Sequence, residues 1–420
     1  MKKFKVGAVA AVAAAALVLT GCGGGAKEAA GAAGDNSVVI DMWAGSEDDT
    51  AALNAQLEIA KADNPDLNIT LRTAPWGDFF TKMTTNMASG NMACVTGMNS
   101  GMLSSYTAGF AELTPEDLTK AGLKDADFAP GSLDILKNKG KTYGIPFDIS
   151  TMLVYYNADL LKASNAPEPK VGWTFDDFEA TAKAATHDKK YGFAVGMGDF
   201  QWQALPIAKS GVQPATADGT LDLTNPAFVE ASNWYSSLVT EQKVAAPVAS
   251  ASDTGWGETQ YSGGNAAMAV DGTWNAVGYL ENDSNFTAGM APLPTGPNGN
   301  KSLILGSGYG ISKDCKNKDA ALKVLGSLLG KKSQDHIASS GRSYPARAES
   351  QPLYFESIDA KYRDQVKTAF EAAFQNVEGQ QVSDNWSKVG VYVQPQLVSV
   401  YNGQESMAKV LETAQQQFGK

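Results

Sequence analysis

Few constellations in this chain have the residue types and spacing for covalent chemistry. Ser406-Met-Ala-Lys409 fits S-x-x-K and Ser383-Asp384-Asn385 fits S-D-N, two elements of a serine acyl-transfer site. Their order is reversed, no K-T-G follows, and Ser406 opens an amphipathic terminal helix, so coincidence explains them. Gly140-Lys141-Thr142 has the end of a phosphate-binding loop, but position 135 is Ile where that loop needs Gly. Neither G-x-S-x-G nor H-E-x-x-H occurs. His187 and His336 stand singly, as solvated helix-end residues would. Two histidines and three cysteines leave few ligands for zinc or an iron–sulfur cluster, so neither metal nor cofactor is expected. Arginine is confined to Arg72, Arg342, Arg347 and Arg363, which undersupplies bidentate clamps for phosphate or carboxylate. The formal charge of −11 disfavours nucleic acid, whose phosphates need clustered Lys and Arg. What the chain has in quantity is ring and amide chemistry: 8 Trp and 14 Tyr among many Asp, Asn and Gln. That composition suits an uncharged ligand.

The elements that must position these groups alternate. A chain of 420 residues exceeds what one core organises, and 43% hydrophobic with 19% charged residues marks a folded chain of two domains. Val38 to Trp43 reads as a strand, 48–62 as a helix, Leu67 to Leu71 as a half-buried strand. A helix over 78–88, a strand near 93–96 and a helix over 100–108 follow. The alternation restarts after residue 150, with a capped helix over 175–185, a strand at Tyr191–Met197 and helices over 203–210 and 226–240. Strands return at Phe286–Ala291, Leu303–Leu305 and Tyr309–Ser312, then one long helix over 318–338 and an almost wholly helical end. Such alternation implies an α/β fold with mostly parallel sheets. Ligands of such sheets sit beyond the carboxyl ends of the strands, where Trp43, Asn99 and Asp148 fall.

The N-terminus reads as an address. Met1-Lys-Lys-Phe-Lys5 precedes an apolar run from Val6 to Leu19, too short to span a bilayer but suited to a secretory signal. It ends in Leu19-Thr20-Gly21-Cys22, which resembles the bacterial lipobox. Residues 1–21 are then a lipoprotein signal peptide, Cys22 is the lipidated residue, and 22–36 are a flexible tether of small and polar residues. Removal of 1–21 takes three lysines and makes the formal balance more negative by three. Cys94 and Cys315 remain; a disulfide between them is open, and two separate buried thiols are the expectation.

Further motifs occur in a fixed order. Gly144-Ile-Pro-Phe-Asp148 runs into Leu153-Val-Tyr-Tyr-Asn157; Trp173-Thr-Phe-Asp-Asp-Phe178 follows. Then come Gly264-Asn-Ala-Ala-Met268-Ala-Val-Asp-Gly-Thr-Trp274, Pro292-Leu-Pro294, Gly306-Ser-Gly308-Tyr-Gly-Ile-Ser312 and Gly341-Arg-Ser-Tyr-Pro345-Ala-Arg347. The ordered set, with the lipobox, resembles the extracellular solute-binding proteins of ABC transporters, in their maltose-binding-like carbohydrate group. The resemblance covers essentially the whole chain. It implies a two-lobe periplasmic-binding-protein-like fold, each lobe a mostly parallel sheet flanked by helices, with the ligand cleft between lobes. Crossings are implied near 148–152, 288–292 and 350–356. The N-terminal lobe would be 37–149 plus 292–352 and the C-terminal lobe 150–291 plus 353–420. The implied function is capture of a neutral carbohydrate, an oligosaccharide, by hinge closure and delivery to an ABC permease. The implied protein is a monomer, not an enzyme, held at the extracellular face of the cell membrane by its lipid anchor. A secreted glycosidase with a carboxylate pair in the cleft is the alternative, as is a binding protein for a non-sugar solute.

A saccharide presents apolar C–H faces and a rim of hydroxyls, so rings and amide or carboxylate groups should hold it. Trp274 stands where the signature implies a stacking ring; a core Trp beneath that turn is the other reading. Asp148 stands where the family puts a hydroxyl-accepting carboxylate, or else caps the next element. Trp43 and Glu47 follow the first strand, Glu47 equally as a first-turn helix carboxylate. Asn99 ends the third strand as a sugar-binding group or, with Ser100, as a helix cap. Trp202 matches a cleft aromatic by its place after a strand, with core packing as the alternative. Trp256 precedes the signature at the rim, and Trp386 opens the last helical segment where relatives carry a ring. Ser307 and Gly308 suggest backbone close to ligand, or a glycine bulge. Tyr344 lies near the third crossing, with Arg342 and Arg347, for which ion pairs are expected. Trp76 and Phe79 form the cleft edge or staple the helix start.

Overall fold

The computed structural model describes residues 36–419 except 252, 254, 282–285 and 300. The signal peptide, Cys22 and the tether lie outside the described residues. Along the chain run strand β1 (Ser37–Trp43), helix α1 (Glu47–Asp63), β2 (Asn68–Ala74), α2 (Trp76–Ser89) and β3 (Val95–Asn99). The short β4 (Ile145–Pro146) leads into β5 (Met152–Asn157). Helices α3 (Gln201–Ser210), α4 (Pro226–Thr240) and α5 (Trp256–Ser262) precede β6 (Met268–Gly272) and β7 (Ala288–Pro292). Next are β8 (Ser302–Ile304), β9 (Ser307–Ile311), α6 (Lys318–Leu329) and α7 (Lys331–Ser339). The chain ends with α8 (Ala360–Phe374), β10 (Val377–Gly379), α9 (Trp386–Tyr401) and α10 (Met407–Phe418).

Two sheets organise two lobes. The first has the order β2-β1-β3-β9-β4. Its β1 runs parallel to β2 and β3, while β9 runs antiparallel to β3 and β4. Val38, Ile40 and Met42 alternate inward from β1 and pack with Leu53, Leu57 and Ala60 of α1 and with the buried face of α6. Ser46 caps α1 by accepting from the Asp49 N–H, and Glu47, Asp48 and Asp49 complement the helix dipole in its first turn. In the second sheet β5 lies between β6 and β7 and runs antiparallel to both. The parallel pairing that strand–helix alternation suggested therefore holds for β1–β3 but not here. The reason is connection: β5 arrives from the first lobe and runs outward, whereas β6 and β7 both run back toward it.

Three segments run side by side between the sheets. Ser150 and Leu305 exchange both backbone hydrogen bonds at 2.8 Å, and the Ile149 N–H donates to the Tyr344 carbonyl. The Thr151 hydroxyl donates to Ser302 Oγ at 2.8 Å. The second and third segments are thus 302–305 and 344–345; the stretch 288–292 is instead strand β7, and 351–357 is helical. The β8–β10 ribbon ties the second of these to the chain's end.

Three local readings are corrected. Residues 191–197 make isolated bridges to Ala266, Ala245 and Ala269 and form no continuous strand. Gly192 and Gly196 break that ladder, pressed so closely against Ala182 and Gln201 that a Cβ would collide. The helix expected over 318–338 divides at Gly330, whose extended backbone separates α6 from α7. Over 100–108 only Leu103–Tyr106 is α-helical, followed by a 3-10 turn.

Cys94 and Cys315 are joined in a disulfide, not held as separate thiols. Cys94 precedes β3 and Cys315 follows β9, and the antiparallel pairing of those strands brings the two together despite a separation of 221 residues. Closing so long a loop restricts the unfolded chain, so reduction is expected to lower stability by about 2–5 kcal/mol. Thermal unfolding with and without reductant measures this, and Cys94→Ser with Cys315→Ser should reproduce the reduced curve.

Candidate functional site

On the first lobe the ends of three strands converge. Asn99 closes β3, directly opposite Ser307 at the start of β9, and Pro146 of β4 pairs with Gly308. Asn99 is 6% exposed; its Nδ2 donates to the Gly306 carbonyl and to Ser307 Oγ, and its Oδ1 accepts from the Gly101 N–H. Asp148, two residues past β4, accepts the Ser307 N–H at 2.6 Å. Burial pushes its carboxyl up to about 7, against the pull of that N–H, Arg342 and Ser343. The sequence thus brings Asn99, Asp148 and Ser307 into one polar cluster. Gly308 is explained by packing: a Cβ there would stand 2.2 Å from the Ile145 carbonyl oxygen, so β4 and β9 require it.

Arg342 approaches the same cluster. Its guanidinium lies 5.0 Å from the Phe147 ring centroid, its Nε donates to Asp49, and its Nη1 is buried without a partner. Arg347 pairs with Glu349 and Asp127, so both arginines make the ion pairs expected of them. Trp43 is half-buried and touches Trp76, Phe79 and Phe80 at centroid distances of 4.9, 5.3 and 5.9 Å. Glu47 is exposed in the first turn of α1 and, with Ala44, Gly45, Ser46 and Thr50, lines a shallow open depression.

The second lobe presents rings at the facing end. Gly272 pairs with Met152, and the Thr273 N–H donates to the Thr151 carbonyl, so Trp274 emerges beside the crossing segments. Its ring lies over Gly272, where a Cβ would be 2.1 Å from a ring carbon; only glycine leaves that space. Trp274 is half-buried and meets Phe200 edge-on at 5.9 Å. Phe200 in turn reaches the first lobe: a Cβ on Gly101 would stand 3.0 Å from its ring. Beneath the rings Gln201 Nε2 donates to both Asp271 and Glu258, at 2.9 and 3.0 Å. Asp271 also accepts from the Gly272 N–H, Asn275 and Tyr279. Glu258 Oε2 and Trp256 Nε1 are buried without partners.

Three expected rings are elsewhere. Trp202 is 3% exposed, packed in the second-lobe core with its ring edge-on to Phe228. Helix phase accounts for it: Gln201 faces Asp271, so its neighbour on α3 turns inward. Trp386 is 5% exposed in the same core. Tyr344 sits among Tyr354, Phe355, Phe370 and Phe374, all within 5.6 Å between centroids. Phe200, Gln201, Glu258 and Asp271 were not singled out by the sequence reading. Phe200 was within reach, since it stands two residues before Trp202, and Asp271 lies inside the Gly264–Trp274 motif.

The buried acids carry a pH prediction. Burial, then the Asp271 charge, pushes Glu258 up to about 8, and burial raises Asp148 to about 7. A carboxyl raised in the folded state contributes stability that is complete below the ordinary carboxylate range and is lost as pH rises through the folded value. The melting temperature should therefore fall by a few degrees from pH 5 to pH 8.5. Glu258→Gln, fixed neutral, should flatten that decline and melt above wild type at pH 8.5; identical pH profiles would contradict it.

Among known proteins, the profile of the family described as bacterial extracellular solute-binding protein matches residues 44–335. The maltooligosaccharide ABC transporter solute-binding lipoprotein of Streptococcus pneumoniae R6 is 26% identical over 395 residues, 86% of each chain. The maltodextrin-binding protein of Bacillus subtilis is 32% identical over 202 residues, 44% of this chain and 45% of its own. An ABC substrate-binding protein of Listeria monocytogenes, solved in complex with cycloalternan, superposes with a TM-score of 0.80 at 23% identity, covering 91% of this chain and 97% of that one. Among the described residues no helix is long and apolar enough to cross a membrane.

Proposed function

The chain belongs to the bacterial extracellular solute-binding proteins, and from that premise we propose that it captures a neutral oligosaccharide between its lobes and delivers it to an ABC importer. One observation carries the reading. A polar cluster stands at strand ends of the first lobe (Asn99, Asp148, Ser307), and Trp274 follows β6 of the second lobe, linked toward it through the buried Phe200 ring that reaches Gly101. Rings cover the C–H faces of a sugar, and amide and carboxyl groups take its hydroxyls. The saccharides named for the relatives support the same chemistry.

Closure between the two lobes, joined by the three segments at 149–151, 302–305 and 344–345, would bury the ligand and present a composite surface to the permease. Lipidation of Cys22 would hold a monomer at the outer face of the cell membrane, with 22–36 as its reach. Catalysis is not part of this function. A thermal-shift panel of oligosaccharides, monosaccharides, amino acids and peptides tests the reading, since a ligand that binds only the folded chain raises its melting temperature. Saturable shifts confined to oligosaccharides are expected. Shifts from amino acids or peptides alone would replace the sugar, and release of monosaccharide would make the chain a glycosidase.

A further inference from the structure

The segment between β10 and α9 holds a side chain that the cluster and ring pair leave unused. Gln380 follows β10 directly, and both polar ends of its amide, Oε1 and Nε2, are buried without a hydrogen-bond partner. Ser383, 5% exposed, has its hydroxyl in the same condition. A buried amide normally satisfies its donors and acceptors, so three orphaned polar atoms within four residues mark a place completed by something else.

The segment is fixed from both lobes. On one side Gln213 accepts from the Gln381 N–H at 2.8 Å and donates to the Gly379 carbonyl at 3.0 Å. On the other, Ser104 Oγ donates to the Ser383 carbonyl at 2.9 Å, and Lys139 pairs with Asp384 at 2.8 Å. The amide lies where the lobes meet: a Cβ on Gly101 would stand 2.5 Å from Gln380 Oε1, beside the Phe200 ring. Gly101 itself donates to Asn99. Gln380 is therefore placed between the ring pair and the polar cluster.

We infer that Gln380 reads the ligand. Its amide offers an acceptor and a donor side by side, which matches two neighbouring hydroxyls of a neutral sugar, one donating to Oε1 and the other accepting from Nε2. Exchanging the two amide ends leaves the match intact, because both are orphaned. A carboxylate or an ammonium would satisfy only half of the amide, whereas an uncharged vicinal diol satisfies both ends. The inference rests on the carbohydrate reading above.

The test uses Gln380→Leu and Gln380→Glu in the full chain, with maltotriose as probe. Removing an unpaired buried amide should leave the ligand-free melting temperature of Gln380→Leu at or above wild type. Its affinity for maltotriose by calorimetry should fall at least tenfold, and Gln380→Glu, which keeps an acceptor and loses the donor, should fall in between. If wild type binds and Gln380→Leu binds within twofold of it, the inference fails and the carbohydrate reading stands. A ligand-free melting temperature lowered by several degrees in Gln380→Leu would mark a structural amide and also overturn it. If wild type binds neither maltotriose nor any oligosaccharide of the panel, both readings fall together.

Discussion

Trp274→Ala is expected to abolish the rise in melting temperature that the best oligosaccharide gives wild type. The ring rests on Gly272 and meets Phe200 at its edge, half-buried, so its outer face is available to a sugar. Covering about 100 Å² of apolar surface is worth about 2–3 kcal/mol, which corresponds to a loss of roughly 30- to 150-fold in affinity. The fold should tolerate the change better than loss of a core ring, because Trp274 is only partly buried at the edge of the second-lobe core. Trp202→Ala supplies the contrast: that ring is 3% exposed, and its loss should cost about 3–5 kcal/mol of stability. A full ligand-induced shift in Trp274→Ala would remove Trp274 from the site.

Arg342→Ala is expected to destabilise the first lobe by about 3–5 kcal/mol. Arg342, with its side chain 8% exposed, is paired with Asp49, and its charge also holds down the raised carboxyl of Asp148. Removing it leaves buried Asp148 and partly exposed Asp49 near each other with no cation, close to the arrangement in which breaking a buried pair costs most. Lysine restores the charge but not the flat guanidinium over Phe147, so Arg342→Lys should recover only part of the loss. Urea unfolding followed by a first-lobe probe measures both variants. A change below about 1 kcal/mol in Arg342→Ala would show that water, not Arg342, balances these acids.

What the sequence reveals of this site follows a physical pattern. The placement of Asn99, Asp148 and Trp274 at strand ends was legible because each closes or follows an apolar strand run, and their contact with a ligand is what is proposed. The two-lobe fold was legible from motifs in order, and its first sheet from the alternation over 38–96. Trp202 misled because its sequence places it beyond an apolar run, while the rotation of α3 that turns it inward depends on where Gln201 finds Asp271. Trp386 and Tyr344 misled in the same way, since an aromatic looks alike in a core and in a cleft. The Cys94–Cys315 bond was illegible because it depends on the antiparallel return of β9 beside β3. Gln380 gave no signal at all; only its missing partners single it out.

The central claim is that a neutral oligosaccharide occupies the space between Trp274 and the Asn99–Asp148–Ser307 cluster. Calorimetric titration of the wild-type chain with linear α-glucan oligosaccharides of increasing length tests it most directly. The account predicts one saturable site per chain, with binding lost in Trp274→Ala and no released sugar. Absence of heat across the whole series, or equal binding by Trp274→Ala, would contradict it.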